Sequence, residues 1–213
     1  CGKTLGIVGV GRIGGAVAKR AQAFDMKVIA FDPILTQLKA DALGIELVTI
    51  DELSKRSDFI TIHVPKTPET EDMFNAKRFK LMKDSCRIIN CARGGIVNEQ
   101  DLAQALKNSD IAGAGLDVYT SEPFEDNPFI GLDNIVTTPH LAASTDEAQL
   151  TVAVDVAEQI IEYLNTGAIN NAVNVPSLDK ETREKMSPLL YLAQKLGRFQ
   201  SLYTEGRPTA LEI

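Results

Sequence analysis

The strongest constraint on the fold is a regular alternation of short apolar runs with longer amphipathic runs along most of the chain. The apolar runs are rich in Val, Ile and Leu and lack polar alternation, which is typical of parallel strands covered on both faces. This strand–helix–strand order predicts an α/β fold with a doubly wound parallel sheet, right-handed crossovers and helices on both faces. The predicted strands lie at residues 5–8, 27–31, 46–48, 59–63, 87–90, 112–116 and 134–137.

The amphipathic segments predict helices near residues 12–24, 35–43, 50–56, 75–81 and 98–107, with Thr49 and Asn98 as N-caps. From Ser144 the pattern changes to one long helix, for which Gly167 is a natural end. An extended linker at 168–177, a helix around 187–202 and a strand-like end at 209–213 follow. The sequence therefore predicts a sheet domain at residues 1–176. A C-terminal helical tail at residues 177–213 would contain a linker, a helix and the start of a following domain.

A glycine motif lies where the first predicted strand meets the first helix. Gly9–Gly14 matches G-x-G-x-x-G, in which Gly9 allows a tight turn, Gly11 lets the backbone approach a diphosphate, and Gly14 allows close packing. Asp32 ends the next strand, where its carboxylate can bind a ribose diol and repel a 2′-phosphate. This context predicts a Rossmann-like site for NAD rather than NADP, formed by Gly9, Gly11, Arg12, Ile13, Gly14 and Asp32. The alternative is a structural glycine turn with a surface aspartate.

Composition excludes several other functions. A net charge of −7 and a pI near 4.9 disfavour nucleic acid as a partner. No apolar stretch has the roughly 18 to 20 residues that a membrane span needs. Cys1, Cys86 and Cys91 show no C-x-x-C spacing, so we expect reduced thiols in a cytoplasmic protein and no metal site.

Four motifs carry a specific resemblance. Besides Gly9–Gly14 they are Asn90–Gly95, Leu116–Pro123 and Pro139–Thr145. In order and spacing these resemble the four signatures of the D-isomer-specific 2-hydroxyacid dehydrogenases, over about residues 1–176. The resemblance implies catalytic roles for Arg93, Glu122 and His140. It also implies cofactor contacts: His63, Val64 and Pro65 near the adenosine half, and Cys91, Ala92, Arg93, Asp117, His140, Ala142 and Ala143 near the nicotinamide.

The chemistry of 2-hydroxyacid oxidation suits these residue types. His140 can accept the hydroxyl proton, Glu122 can orient its ring, and the planar Arg93 fork can grip the substrate carboxylate. The residues alone leave alternatives open. His63 is an equal candidate for the base. An arginine such as Arg93 in a glycine-rich turn is often only a solvent-exposed charge on a loop, and Glu122 before Pro123 is also typical of an ordinary turn.

Cys91 and Asp117 have competing interpretations as well. The apolar strand before Cys91 favours a small packed residue whose backbone faces the nicotinamide over a nucleophile. By resemblance, Asp117 receives the nicotinamide amide, although an aspartate at the end of a strand is also a common turn former.

The segment 164–176 resembles the linker of the branch of this family that oxidises 3-phosphoglycerate. This implies NAD-dependent oxidation of that small-molecule substrate to 3-phosphohydroxypyruvate, the first step of serine biosynthesis. Alternatives are a glyoxylate, lactate or formate dehydrogenase, an NAD-sensing corepressor, or a bare cofactor-binding module. The chain opens with Cys1 almost directly before its first core strand, so we expect an N-terminal portion to be missing and the chain to be the cofactor-binding part. Contacts in this family also imply a homodimer or a larger homo-oligomer.

Overall fold

The structure is a computed structural model that describes residues 2–123, 127–172 and 180–203, the last helix with side chains from residue 185. It divides into two compact units, Cys1–Thr145 and Asp146–Ile213. The predicted strand-like end at 209–213, and the part of the predicted linker from residue 173 onward, lie outside the described residues. The predicted domain boundary at residue 176 stays a prediction.

The first unit is built on a parallel sheet, as the uninterrupted apolar runs predict. Its strands have the order β3-β2-β1-β4-β5-β6-β7, and every neighbouring pair is parallel. The chain therefore moves outward on one side of β1 and returns to continue on the other side at β4. All predicted strands are confirmed: β1 (Thr4–Val8), β2 (Lys27–Phe31), β3 (Glu46–Leu47), β4 (Phe59–Ile62), β5 (Arg87–Asn90), β6 (Gly113–Leu116) and β7 (Ile135–Thr137).

The helices of this unit are α1 (Arg12–Ala23), α2 (Gln37–Ala42), α3 (Ile50–Arg56), α4 (Ala76–Phe79) and α5 (Glu99–Lys107). The two predicted caps are confirmed: the Thr49 hydroxyl accepts from Glu52 N at 3.2 Å, and Asn98 Oδ1 accepts from Asp101 N at 3.0 Å. Two helices are shorter than predicted at their starts because Thr36 and Asn75 act as N-caps.

Two buried apolar clusters cover the two faces of the sheet. Alternate residues of one strand contribute to different clusters: Ile29 lies in the larger cluster, whereas Val28 and Ala30 lie in the smaller one. The larger cluster includes residues of α3, α4 and α5, and the smaller one includes residues of α1. Helices lie on both faces of the sheet and bury most of the central strands, while the edge strands β3 and β7 stay partly exposed. This arrangement confirms the doubly wound α/β prediction.

The second unit contains the helices α6 (Asp146–Thr166) and α7 (Lys180–Tyr203). The first is the predicted long helix, and Gly167 follows its last residue with a φ of 69°. Pro188 lies inside the second. Among the described residues, neither these helices nor any other has the length and apolarity needed to cross a membrane.

Candidate active site

The predicted site residues follow the carboxyl ends of adjacent strands. Going across the sheet from β2 to β1, β4, β5, β6 and β7, the residues that follow directly are Asp32, Gly9, His63, Cys91, Asp117 and Thr138. Because parallel strands end on the same edge, the fold brings these six residues, from Gly9 to Thr138, to one side of the first unit. Ligands of open α/β sheets bind at this edge, at the point where the strand order reverses. Here that point lies between β1 and β4.

The glycine turn has the geometry that a bound diphosphate needs. Gly9 has a φ of 89°, and a Cβ atom there would lie 2.8 Å from the His63 carbonyl oxygen. A Cβ atom at Gly14 would overlap the Gly9 carbonyl, whereas one at Gly11 would have no atom within 4 Å. The first turn of α1 carries no acidic residue and no side-chain cap. Its free amides and positive end therefore face open space that suits an anion.

Asp32 supports this turn directly. One carboxylate oxygen accepts from Val10 N at 2.8 Å, and the other accepts from Ile34 N at 2.8 Å and Leu35 N at 3.0 Å. Burial would raise the pKa of Asp32, but these three backbone donors outweigh it and hold the pKa below its ordinary value. The residue is therefore a fixed negative charge beside the glycine turn, where a 2′-phosphate would be repelled.

His63 lies on the other side of the point of reversal. Its Nε2 atom is 3.0 Å from the Thr61 hydroxyl, and its backbone N–H donates to Val8 O at 2.7 Å. Burial lowers the pKa of His63, so the ring is neutral at physiological pH. Val64 and Pro65 follow it, and a Cβ atom at Gly9 would lie 2.7 Å from Val64 Cγ1. These contacts bring His63 and its neighbours together with the glycine turn.

The turn after β5 carries Arg93 and is held by a buried amide. Asn90, which is 1% exposed, accepts from Ala92 N at 3.0 Å and donates to Arg93 O at 2.9 Å. The exposed guanidinium of Arg93 donates to Ala92 O at 2.6 Å. Within the described part of the first unit, that group therefore bonds its own turn rather than Glu122 or His140. The backbone of the turn is fixed, and the guanidinium can reach a ligand by rotating about its side-chain bonds.

Cys91 differs from the expectation of a packed residue. The residue is exposed, since it lies just beyond the edge of the sheet where the apolar strand ends. Partial burial of the sulfur and then the negative charge of Asp117 raise the pKa of Cys91, which keeps it a thiol at neutral pH and argues against a nucleophile. The described residues contain no group of three His, Cys, Asp or Glu side chains placed to hold a metal.

Asp117 organises the loop that carries the candidate base. It is 3% exposed and accepts from the Thr138 hydroxyl at 2.5 Å, Leu141 N at 2.7 Å and Ala142 N at 2.8 Å. Burial would raise the pKa of Asp117, but these donors and the positive potential of His140 lower it overall. Between the bonded residues, His140 has a φ of 57°, a left-handed conformation that few residues other than glycine adopt. The predicted contact between Asp117 and the nicotinamide amide stays a prediction.

Glu122 and His140 form a close pair. Oε2 of Glu122 lies 2.8 Å from Nδ1 of His140, and Oε1 accepts from Tyr119 N at 3.0 Å. The His140 ring and the Tyr119 N–H lower the pKa of Glu122, so its carboxylate is ionised at neutral pH and can only accept. For neutral His140 the ring proton must then lie on Nδ1, which leaves a lone pair on Nε2. The Glu122 carboxylate therefore distinguishes His140 from His63, which the sequence alone left as equal candidates for the base.

A cavity of about 460 Å³ opens beside this pair. Its lining includes Glu122, His140, Tyr119 and Asn127, with Thr137 and Thr138 from the end of β7. The volume lies in the range of sites for small molecules. A titratable pair that lines a cavity at the carboxyl edge of the sheet is a candidate for acid–base chemistry.

Sequence reasoning missed three residues that build the site. Asn90 shapes the Arg93 turn, Tyr119 donates its hydroxyl to Leu116 O at 3.2 Å and Thr138 O at 2.9 Å, and Glu99 binds Thr120. A signal existed for Asn90, since a polar residue that ends an apolar strand must find partners when it is buried. The contacts of Tyr119 and Glu99 cross 19 and 21 positions and have no local signature.

Comparison with known proteins agrees with this geometry. Residues 1–142 match the family model described as D-isomer specific 2-hydroxyacid dehydrogenase, NAD binding domain. D-3-phosphoglycerate dehydrogenase from Synechocystis sp. is 46% identical over 211 residues, which cover 99% of this chain and 38% of that protein. The D-3-phosphoglycerate dehydrogenase of Methanocaldococcus jannaschii is 45% identical, with 100% and 41% coverage. The chain therefore spans about two fifths of the length of these curated relatives.

Among solved structures, an NAD-complexed D-isomer specific 2-hydroxyacid dehydrogenase from Lactobacillus delbrueckii ssp. bulgaricus is 32% identical with a TM-score of 0.71. That match covers 81% of this chain and 56% of the other. The Rossmann-like fold and NAD as the cofactor of this domain class are thereby confirmed. Together with the four motifs on one sheet edge, these matches show that the chain belongs to the D-isomer specific 2-hydroxyacid dehydrogenase family and contains its NAD-binding domain.

Proposed function

We propose that this chain forms the cofactor side of an active site that oxidises 3-phospho-D-glycerate to 3-phosphohydroxypyruvate with NAD, the first step of serine biosynthesis. The observation that carries the reaction type is the Glu122–His140 pair, held at 2.8 Å beside a cavity on the edge that also bears the glycine turn. The choice of substrate is supported by the names of relatives that are 45% and 46% identical over almost the whole chain.

The residues of the chain have distinct tasks in this reaction. The first turn of α1 would hold the diphosphate, and Asp32 the adenosine ribose. Arg93 would grip the substrate carboxylate and fix C2 in place. When bound, NAD supplies the acceptor for the hydride that leaves C2.

His140 accepts the proton of the substrate hydroxyl. As the hydride leaves C2, the substrate hydroxyl gives its proton to Nε2, and its oxygen becomes the carbonyl of the product. Glu122 keeps the ring in the tautomer with a free Nε2 lone pair and stabilises the positive charge that develops. The left-handed backbone of His140, fixed through Asp117, sets the direction of the ring.

The first test is a calorimetric titration of this chain with NADH and, in parallel, with NADPH. Because Asp32 is an ionised carboxylate beside the turn, we expect tight NADH binding and much weaker NADPH binding. A folded sample that bound neither, or that preferred NADPH, would contradict the proposal for the cofactor.

The second test is a substrate panel on the full-length protein with NAD. We expect 3-phosphoglycerate to be oxidised with a far higher kcat/KM than D-lactate, formate or glycolate, the hydroxyacid formed by reduction of glyoxylate. Preference for an unphosphorylated acid would instead support the alternative dehydrogenases. A protein that binds NADH but oxidises none of them would support a binding module. A homodimer and a cytoplasmic location complete the proposal, and sedimentation and cell fractionation would test them.

A further inference from the structure

We infer that Glu99 is a positioning residue that locks the Glu122 loop to the helix after the Arg93 turn and thereby aims the Glu122–His140 pair. The inference rests on the proposed function for its catalytic consequence. Glu99 is the first residue of α5 and does not belong to the catalytic trio.

The contact is specific. One carboxylate oxygen of Glu99 accepts from the backbone N–H of Thr120 at 2.7 Å and from the Thr120 hydroxyl at 2.9 Å. Both bonds end on one charged oxygen, and bonds to charged groups are the stronger kind. Asn98 caps the helix immediately before Glu99, so the carboxylate projects from a fixed helix start.

A second contact joins the same two segments. A Cβ atom at Gly94 would overlap the Tyr119 carbonyl and would lie 2.7 Å from Thr120 N. Only glycine permits this approach, so the Arg93 turn packs directly against the backbone at Tyr119 and Thr120. The hydrogen bonds from Thr120 to Glu99 close the contact from the other end of the turn.

From Thr120 the link reaches the reacting group in two steps. The neighbouring Tyr119 N–H donates to one oxygen of Glu122, whose other oxygen pairs with His140 Nδ1. Without the Glu99 carboxylate, Thr120 loses both hydrogen bonds to α5, and we expect the Tyr119 N–H to hold Glu122 less firmly in one orientation. Glu99 thus couples the turn that carries Arg93, the proposed ligand of the substrate carboxylate, to the loop that positions His140, the proposed proton acceptor.

The test compares Glu99→Ala with Glu99→Gln, and uses Gln100→Ala, at the exposed next position of α5, as the matched control. Both Glu99 variants lose the charge that favours a helix N-terminus, but glutamine retains an oxygen that can accept from Thr120. In the full-length protein we expect Glu99→Ala to lower kcat on the order of 10- to 100-fold with little change in KM for NAD. The kcat of Glu99→Gln should stay within about threefold of that of the parent protein, and the kcat of Gln100→Ala should equal that of the parent protein.

A second measurement does not depend on the substrate. The chain has two histidines, so the Nδ1–H resonance of His140 can be followed by NMR, with the carbon-bound ring protons of His63 as the internal reference. We expect Glu99→Ala to broaden the His140 signal by faster exchange and to leave His63 unchanged. If Glu99→Ala does not fold, Thr120→Val, which keeps the backbone N–H and removes the hydroxyl, provides the same comparison at smaller amplitude.

Equal losses in Glu99→Ala and Glu99→Gln would overturn the inference in favour of a simple helix-charge effect. An unchanged His140 signal together with a kcat within twofold of the parent would overturn it as well. If the parent protein does not oxidise 3-phosphoglycerate, the proposed function fails, while the NMR comparison still decides the role of Glu99.

Discussion

The glycine-turn region and the acid–base region meet on the same sheet edge but are built in different ways. The first takes Gly9–Gly14 and Asp32 from one strand–helix–strand unit and combines the backbone of the glycine turn with a single carboxylate. The second gathers Arg93, Glu122 and His140 from three loops and fixes them with side chains such as Asn90 and Asp117. Local backbone geometry is sufficient to bind a diphosphate. The side chain that accepts a proton must instead be oriented toward the substrate hydroxyl, and that orientation depends on contacts between residues far apart in the sequence.

The largest expected effect comes from removing the proposed base of the acid–base region. We expect His140→Gln to lower kcat by about 10²- to 10⁴-fold, the usual contribution of acid–base catalysis, because glutamine cannot take up the hydroxyl proton. NADH affinity should change by no more than several-fold, since the glycine turn is untouched. Steady-state kinetics and calorimetry on the full-length protein measure both effects.

A matched variant of the partner residue sharpens this result. Glu122→Gln retains a hydrogen-bond acceptor for Nδ1 but loses the charge, so its loss of kcat should be smaller than that of His140→Gln. A His140→Gln protein with the parent rate would end the acid–base proposal.

The next largest effect concerns the residue that holds the His140 loop. Asp117→Ala removes the acceptor for three donors, of Thr138, Leu141 and Ala142, and we expect the free energy of unfolding to fall by roughly 2 to 4 kcal/mol. Asp117→Asn keeps one acceptor oxygen and should lose less. Urea unfolding of both variants gives the comparison, and an Asp117→Ala protein as stable as the parent would mean that the loop is held elsewhere.

The glycine turn predicts a different separation of effects. At Gly14 an added methyl group would overlap the Gly9 carbonyl, so Gly14→Ala should cost about 1 to 3 kcal/mol of stability and also weaken NADH binding. At Gly11 the methyl group would meet open space, and we expect Gly11→Ala to weaken NADH binding with a small change in melting temperature. Calorimetric titration and thermal unfolding separate the two. Unimpaired NADH binding by Gly11→Ala would show that the diphosphate does not lie there.

The sequence predicted the fold well because buried parallel strands consist of continuous apolar residues. The bounds of β2 (Lys27–Phe31) and β5 (Arg87–Asn90) are those predicted from the apolar runs of the sequence. Helix starts were less accurate, since a cap such as Thr36 shortens a helix without changing its apolar pattern. Cys91 was expected to be packed and is exposed, because an apolar strand does not reveal where the sheet edge lies.

The site was predictable to different depths in the two regions. Local spacing was sufficient for the glycine turn, while the acid–base trio needed resemblance to a family. The supporting contacts of Glu99 and Tyr119 could not be predicted, since they depend on how loops 19 and 21 positions apart meet in space.

The smallest expected effect distinguishes the two histidines by pH. Burial lowers the pKa of His63 from its ordinary value of 6.5, so the folded protein favours the neutral ring. Between pH 6.5 and that lower pKa, the unfolded chain binds more protons than the folded one at this position. The stability contributed by neutral His63 is therefore full above pH 6.5 and is lost as the pH falls through this window.

His63→Gln removes this titration and should flatten the decline in the free energy of unfolding between pH 7.5 and 5.5. Urea unfolding of the parent and the variant at both pH values isolates the contribution, because the two proteins differ only at position 63. An NMR titration of the His63 ring adds a direct check, and a midpoint at or above 6.5 would contradict the burial seen here. Agreement would leave His63 as a neutral neighbour of the glycine turn and His140, paired with an ionised carboxylate, as the histidine placed to exchange protons.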